Sequence, residues 1–113
     1  MTDTITYVAQ AENLKLNVTH DPTTVVAEGQ IDSHTSQALE QTLSEIRAEE
    51  NLSLNLGGVS FIDSSGLRVI VRAHKQHLEH GGRLIILDPS HAVSRLLDIT
   101  GLTSQLNITR TAD

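Results

Sequence analysis

The fold is decided by residues 52–88, which read LSLNLGGVSFIDSSGLRVIVRAHKQHLEHGGRLIILD. Leucines alternate with polar residues over 52–56, a pattern typical of a half-buried strand, and Gly57-Gly58 is predicted to end it. The apolar run at 83–88 predicts a second strand. Because a helix-like stretch separates the two strands, the segment predicts a crossover connection and therefore parallel pairing.

The helix between these strands is expected to begin at about Ser64 and to stop at Gly81-Gly82. Its apolar residues recur at helical spacing, which indicates one face turned toward the core. The predicted inward stripe consists of Leu67, Ile70, Val71, His74 and Leu78.

Outside this unit, the periodicity predicts further strands and helices. Strands are expected over 13–19 and 24–31, a helix over 35–49, a helix from Pro89-Ser90 to Gly101 and a strand over 105–110. The first two strands flank the turn-forming residues HDPT and should form a hairpin. Residues 1–12 could be an edge strand or a flexible tail. The order predicts one α/β domain over 1–113, a small mixed sheet of N-terminal hairpin plus parallel strands, with helices mainly on one side.

The composition excludes several classes of function. The net charge is −6, with 14 acidic and 8 basic residues, whereas nucleic-acid binding normally requires an excess of Lys and Arg. The absence of cysteine excludes disulfides, thiolate nucleophiles and cysteine-based zinc sites. The first ten residues do not resemble a signal peptide, and no apolar run is long enough to insert into a membrane. We therefore expect a cytoplasmic protein.

The junction FIDSSGL at 61–67 allows several kinds of chemistry. A serine hydrolase elbow requires a glycine two residues before the serine, and a phosphate-binding loop requires a Gly-rich run with lysine; neither pattern is present. His34 and His91 could serve as bases, but no feature places either one near Ser64. A hydroxyl presented for modification remains, because the first turn of a helix offers free N–H groups to a phosphate. The ordinary alternative is a helix cap, a role suited to Asp63.

The segment from 52 to 102 resembles the STAS domain of bacterial anti-sigma factor antagonists. The resemblance rests on the F-x-D-S-S-G-L junction, the Gly-containing turn before an apolar strand, and the T-G-L at 100–102. Upstream, EGQIDSHTSQAL at 28–39 is similar to the family segment that leads into its first helix. The match extends over about residues 13–110 with its spacing intact. The chain departs from the family pattern at Arg68, where a small residue is common, and at Gln30, where an acid is common.

The resemblance implies a phosphorylation switch at Ser64. In the family, the serine after the junction aspartate accepts the phosphate, and Asp32, Asp63, Ser65 and Gly66 match its neighbours. The unmodified antagonist binds an anti-sigma factor that is also a serine kinase with a GHKL-type ATP site, and so frees a sigma factor. Phosphorylation ends the interaction, and a PP2C-type phosphatase reverses it. Ser65 is expected to satisfy backbone donors in the first helical turn.

The partner surface is expected to extend from the switch serine along the same helix. Arg68, Arg72 and Lys75 lie on one predicted flank, with Val69 and Ala73 as a small apolar centre. A solvated helix face is the commoner explanation of such charges. The expected partner-binding residues are Ser33, His34, Ser64, Arg68, Val69, Arg72 and Lys75.

Two alternatives stay open at this stage. The chain could be a non-switching STAS subunit of a lipid-transport or stress-signalling complex, or a small hydrolase that uses Ser64. His74, His77 and His80 are spaced by three residues and diverge around the helix, so no metal site is expected. No catalytic residue and no cofactor is predicted, and the domain could act alone or as a homodimer.

Overall fold

The computed structural model describes residues 5–111, with side chains from residue 12 onward. Its elements in chain order are β1 (Ile5–Ala11), β2 (Leu14–Thr19), β3 (Thr24–Ile31), α1 (Ser36–Ser44), β4 (Asn51–Ile62), α2 (Ser64–Glu79), β5 (Arg83–Leu87), α3 (His91–Thr100), a 3-10 turn (Leu102–Ser104) and β6 (Asn107–Thr109).

The strands form a mixed sheet whose spatial order within the described residues is the chain order β1-β2-β3-β4-β5-β6. The β2–β3 hairpin is antiparallel, whereas β3, β4, β5 and β6 are parallel neighbours. Both predictions are confirmed. The open question about the N-terminus is answered for residues 5–11, which form an edge strand antiparallel to β2; residues 1–4 lie outside the described range.

One face of the sheet is apolar and buried, as the alternating pattern predicts. In β4, Leu52, Leu54 and Leu56 are fully buried, while Ser53 and Asn55 point to the other face and are half-buried. The buried face and the inward residues of all three helices form one aliphatic cluster. Successive right-handed crossovers across neighbouring parallel strands place the helices on this same side.

The strand β4 is longer than predicted, because Gly57-Gly58 does not end it. The strand continues to Ile62. Between the pairs Val26–Asn55 and Glu28–Gly58, β4 has one more residue than β3, which is the geometry of a β-bulge. A second extra residue in β4 lies between the pairs Gly29–Val59 and Gln30–Phe61. The two irregularities absorb these residues while the strand continues, so the junction at 63 follows directly on its end.

The helix α1 is shorter than the predicted 35–49 and ends at Ser44. Leu39 and Leu43 are buried as expected. Residues after the helix turn back toward β4, and the N–H of Glu50 donates to the carbonyl of Arg47 at 3.1 Å. The helical periodicity at Ile46 was therefore misleading, because the short connection to Asn51 requires the chain to reverse earlier.

The inward stripe of α2 differs from the prediction at its C-terminal end. Leu67 and Ile70 are buried, but Leu78 is 65% exposed. Ala73 and His77 occupy the inward positions instead. These two are spaced by four residues, and together with Ile70 they form the stripe that contacts the sheet and α1.

Candidate functional site

The candidate site lies where the parallel strands β3 and β4 end side by side. Ile31 and Ile62, the last residues of the two strands, are register partners. The N–H of Asp63 donates to the carbonyl of Ile31 at 3.1 Å. This bond links the start of α2 to the end of β3. Asp32 and Asp63 therefore leave the sheet at the same edge, as the resemblance implied.

The Asp32 loop is held by hydrogen bonds to its own backbone. The Asp32 carboxylate accepts from the N–H groups of His34 and Thr35, each at 2.9 Å. The buried hydroxyl of Thr35 donates to the carbonyl of Gln30 at 2.8 Å and accepts from the N–H of Asp32 at 2.9 Å. These bonds fix the loop and leave Ser33 and His34 exposed.

The charge on Asp32 is stabilised by the same bonds. The N–H of Thr35 is the main cause that lowers the pKa of Asp32 from its ordinary value; the N–H of His34, the Thr35 hydroxyl and the nearby His34 act in the same direction. Desolvation is the second-largest influence and acts in the opposite direction, but the combined hydrogen bonds outweigh it. The loop therefore holds a stable negative charge at the edge of the sheet.

Asp63 caps the helix that carries Ser64. Its backbone is extended, and its carboxylate accepts from the N–H of Ser65 at 2.9 Å. The expectation that the Ser65 hydroxyl satisfies backbone donors in the first turn is wrong, because this hydroxyl forms no hydrogen bond within residues 12–111. Ser64 is the first helical residue and is exposed, and its hydroxyl forms no hydrogen bond within residues 12–111. No histidine is hydrogen-bonded to it there, so no nucleophile–base pair is formed.

Gly66 allows α2 to begin close to the sheet. It is buried, and an added Cβ would overlap Cγ2 of Ile31 and lie 3.1 Å from Cγ1 of Ile62. The first turn of α2 can therefore rest directly on the ends of β3 and β4 only because residue 66 lacks a side chain. This contact determines where Ser64 is presented.

A groove of about 510 Å³ runs from Ser64 along one flank of α2 to the 3-10 turn. Its apolar lining comes from Leu67, Val71 and Leu102. Its remaining lining residues are Ser64, Arg68, Arg72 and Lys75. The structure thus brings the three predicted basic residues together with Ser64, and the described lining contains no acidic residue.

The predicted apolar centre of this flank is wrong. Val69 and Ala73 are only 8% and 7% exposed and belong to the buried core cluster. Both line the contact between α1 and α2, where Arg72 forms a 2.7 Å ion pair with Glu40. Val69 is therefore not available to a partner as an exposed side chain.

The three helix histidines have separate environments. His77 is buried, and its Nδ1 lies 2.9 Å from the carbonyl of Glu50, to which it donates. The Nδ1 of His80 lies 2.8 Å from the carbonyl of Gln76. Nδ1 of His74 is buried without a partner among the described residues. Over that same part of the chain, no group of three potential metal-binding side chains comes together.

Leu102 is a residue of the groove that was not identified from the sequence. It lines the groove although it lies 38 positions after Ser64. Its position depends on the packing of α3, which the local pattern does not give. Phe61, near the end of β4, is 47% exposed. Among the described residues, no helix is long and apolar enough to cross a membrane.

Comparisons with known proteins converge on one family. The STAS domain family model matches residues 13–113. A Paenibacillus polymyxa protein named anti-sigma F factor antagonist is 34% identical over 95 residues, covering 80% of this chain and 81% of that protein. A Staphylococcus epidermidis protein named anti-sigma-B factor antagonist is 35% identical over 94 residues, covering 80% and 87%. The Bacillus cell fate determinant SpoIIAA, solved in its phosphorylated form, shares the fold with a TM-score of 0.65 at 22% identity, covering 88% and 92%.

Proposed function

Because the chain belongs to the STAS domain family, we propose that it is an anti-sigma factor antagonist switched by phosphorylation of Ser64. In its unphosphorylated form it binds an anti-sigma factor with GHKL-type serine kinase activity and releases a sigma factor. The kinase phosphorylates Ser64, and a PP2C-type phosphatase removes the phosphate. The names of the relatives support the antagonist function. The family is one of regulatory binding proteins, so the chain is not an enzyme.

The observation that carries the proposal is the presentation of Ser64. Its side chain is exposed at the start of α2, and its hydroxyl has no partner within residues 12–111. Asp63 performs the capping instead, so the Ser64 hydroxyl is not needed to hold the helix. A kinase can therefore reach this hydroxyl without unfolding the helix start.

Release of the partner follows from local charge. Phosphorylation adds about −1.5 to −2 charges at Ser64. Asp63 is its chain neighbour, and Asp32 lies on the adjacent strand end. A partner surface that fits a neutral hydroxyl would then meet concentrated negative charge, and like charges brought together at an interface can cost several kcal/mol.

The partner surface of the proposal includes Ser33, His34 and Ser64 at the sheet edge. It continues along the groove through Arg68, Arg72 and Lys75. The proposal places the protein in the cytoplasm, requires no metal or cofactor, involves no nucleic acid, and allows a homodimer.

The test combines phosphopeptide mapping from the source cells with calorimetric binding to the purified anti-sigma factor. Wild type and Ser64→Ala should bind, whereas Ser64→Asp should bind at least tenfold more weakly. Ser65→Ala serves as the matched control because it removes the neighbouring hydroxyl and should change neither binding nor phosphorylation. Equal binding by Ser64→Asp and wild type would contradict the electrostatic switch. A Ser64 that stays unmodified in all growth and stress conditions would favour a constitutive STAS interaction subunit.

A further inference from the structure

We propose that Arg68 binds the phosphate of phosphorylated Ser64 within the same chain, so that modification also removes Arg68 from the partner surface. The inference rests on the proposed modification of Ser64 and specifies how the modified site is arranged. Both side chains are exposed and line the same groove of α2.

The spacing of the two residues favours this pairing. Ser64 and Arg68 are four positions apart in one helix, where side chains lie on the same face with Cβ atoms about 5–6 Å apart. Helix side chains lean toward the N-terminus, which directs the Arg68 guanidinium toward Ser64. A guanidinium donates two parallel hydrogen bonds to a phosphate, a geometry that a point-charge ammonium does not provide.

The other cations of the groove are less suited to this role. Arg72 already forms a 2.7 Å ion pair with Glu40 of α1. It is eight residues from Ser64, about 12 Å along the helix axis, and Lys75 is farther still. Arg68 has no ion pair among the described residues, so it can reorient without losing one.

The acidic residues at the junction direct the phosphate toward Arg68. The Asp63 carboxylate is fixed on the N–H of Ser65, and Asp32 is fixed within its own loop. Both repel a phosphate from the sheet edge, while the groove beside α2 contains only basic charged side chains. Phosphorylation would therefore change the head of the groove from a positive to a negative surface.

The experiment uses the full chain with phosphoserine incorporated at position 64 during translation, so no kinase is required. A ³¹P NMR titration measures the second pKa of the phosphate, whose ordinary value is about 6. In wild type this pKa should be about a third of a unit lower than in Arg68→Gln, roughly a twofold change in the proton dissociation constant. Arg72→Gln is the matched control, because it removes the same charge from the same groove. Arg72 lies more than about one Debye length from Ser64, so its loss should leave the pKa of the phosphate unchanged.

Identical titrations for wild type and Arg68→Gln would overturn the inference. An equal shift in Arg72→Gln would overturn it as well, because the effect would then be a property of the net charge. Arg68→Lys separates the two contributions: it should retain part of the pKa shift and lose the hydrogen-bonded guanidinium NMR signal that wild type shows on phosphorylation. An unmodified Ser64 in cells would contradict the proposed function and not this result, because the phosphate here is installed directly.

Discussion

The sharpest structural prediction concerns Gly66, the residue that lets α2 rest on the strand ends. Replacement by alanine places a Cβ into overlap with Cγ2 of Ile31 and 3.1 Å from Cγ1 of Ile62. Both neighbours are β-branched and sit in a packed core, so they cannot move away freely. The helix start must shift away from the sheet, and Ser64 must shift with it.

The magnitude follows from two opposing terms. Overpacking a well-packed site typically costs about 1–3 kcal/mol. Alanine is favoured over glycine in a helix by roughly 1 kcal/mol, and this offsets part of the cost. We expect Gly66→Ala to lower the free energy of unfolding by about 1 kcal/mol, the difference between a central overpacking cost of about 2 kcal/mol and the propensity gain. With a urea m-value of about 2 kcal/mol/M, the midpoint should fall by about 0.5 M.

The assay is urea unfolding followed by circular dichroism, with Ser65→Ala as the control. Ser65 is in the same helical turn, and its hydroxyl forms no hydrogen bond within the described residues, so its replacement should be nearly neutral. A Gly66→Ala protein as stable as wild type, or more stable, would refute the close-contact argument. Such a result would mean that α2 can begin farther from the sheet and that Ser64 is not held in one place by this packing.

Two further predictions concern the junction carboxylates. Asp63→Ala should lower the free energy of unfolding by about 1 kcal/mol, because the N–H of Ser65 loses its acceptor. Asp63→Asn keeps an acceptor oxygen and should retain most of the wild-type stability. Equal urea midpoints for wild type and the two variants would contradict the capping role. The pKa of Asp32 is lowered in the folded state, mainly by the N–H of Thr35, so its stabilising effect is fully present above the ordinary carboxylate pKa and is lost as the pH falls through the lowered value. Asp32→Asn should therefore make the loss of stability toward acidic pH less steep than in wild type. The measurement is the thermal unfolding midpoint of both proteins between neutral and strongly acidic pH. Equal slopes for the two proteins would contradict this prediction.

Much of the fold could be predicted because the apolar pattern is strongly periodic. Alternating leucines at 52–56 and the helical spacing from Leu67 to Ile70 define which side chains must leave water, and the structure buries all of them. The proximity of Asp32 and Asp63 was implied by the family resemblance, and the structure agrees because the carboxyl ends of the neighbouring parallel strands β3 and β4 meet at one edge. Asp32 and Asp63 are 31 positions apart in the chain and still leave the sheet side by side.

The errors have a common physical origin. Val69 and Ala73 are small and lie between charged residues, so the sequence alone does not distinguish an exposed face from a helix–helix contact. Their burial depends on α1, whose approach is set by the short turn after Ser44. Leu78 was misassigned because the buried face of α2 is turned toward α1, to the side of Val69, Ala73 and His77. The bulge near Gly57 was missed because glycine is equally suited to ending a strand and to bending it.

The sequence by itself determined the α/β class, the hairpin, the parallel crossovers and the strand-to-helix junction that carries Ser64. These depend on local periodicity and turn chemistry, which are properties of neighbouring residues. Only the tertiary structure decided that Val69 and Ala73 are buried beside α1, and that Leu102 closes a basic groove beside Ser64. Those features depend on contacts between elements distant in the chain, where packing selects one arrangement among several that the local pattern permits.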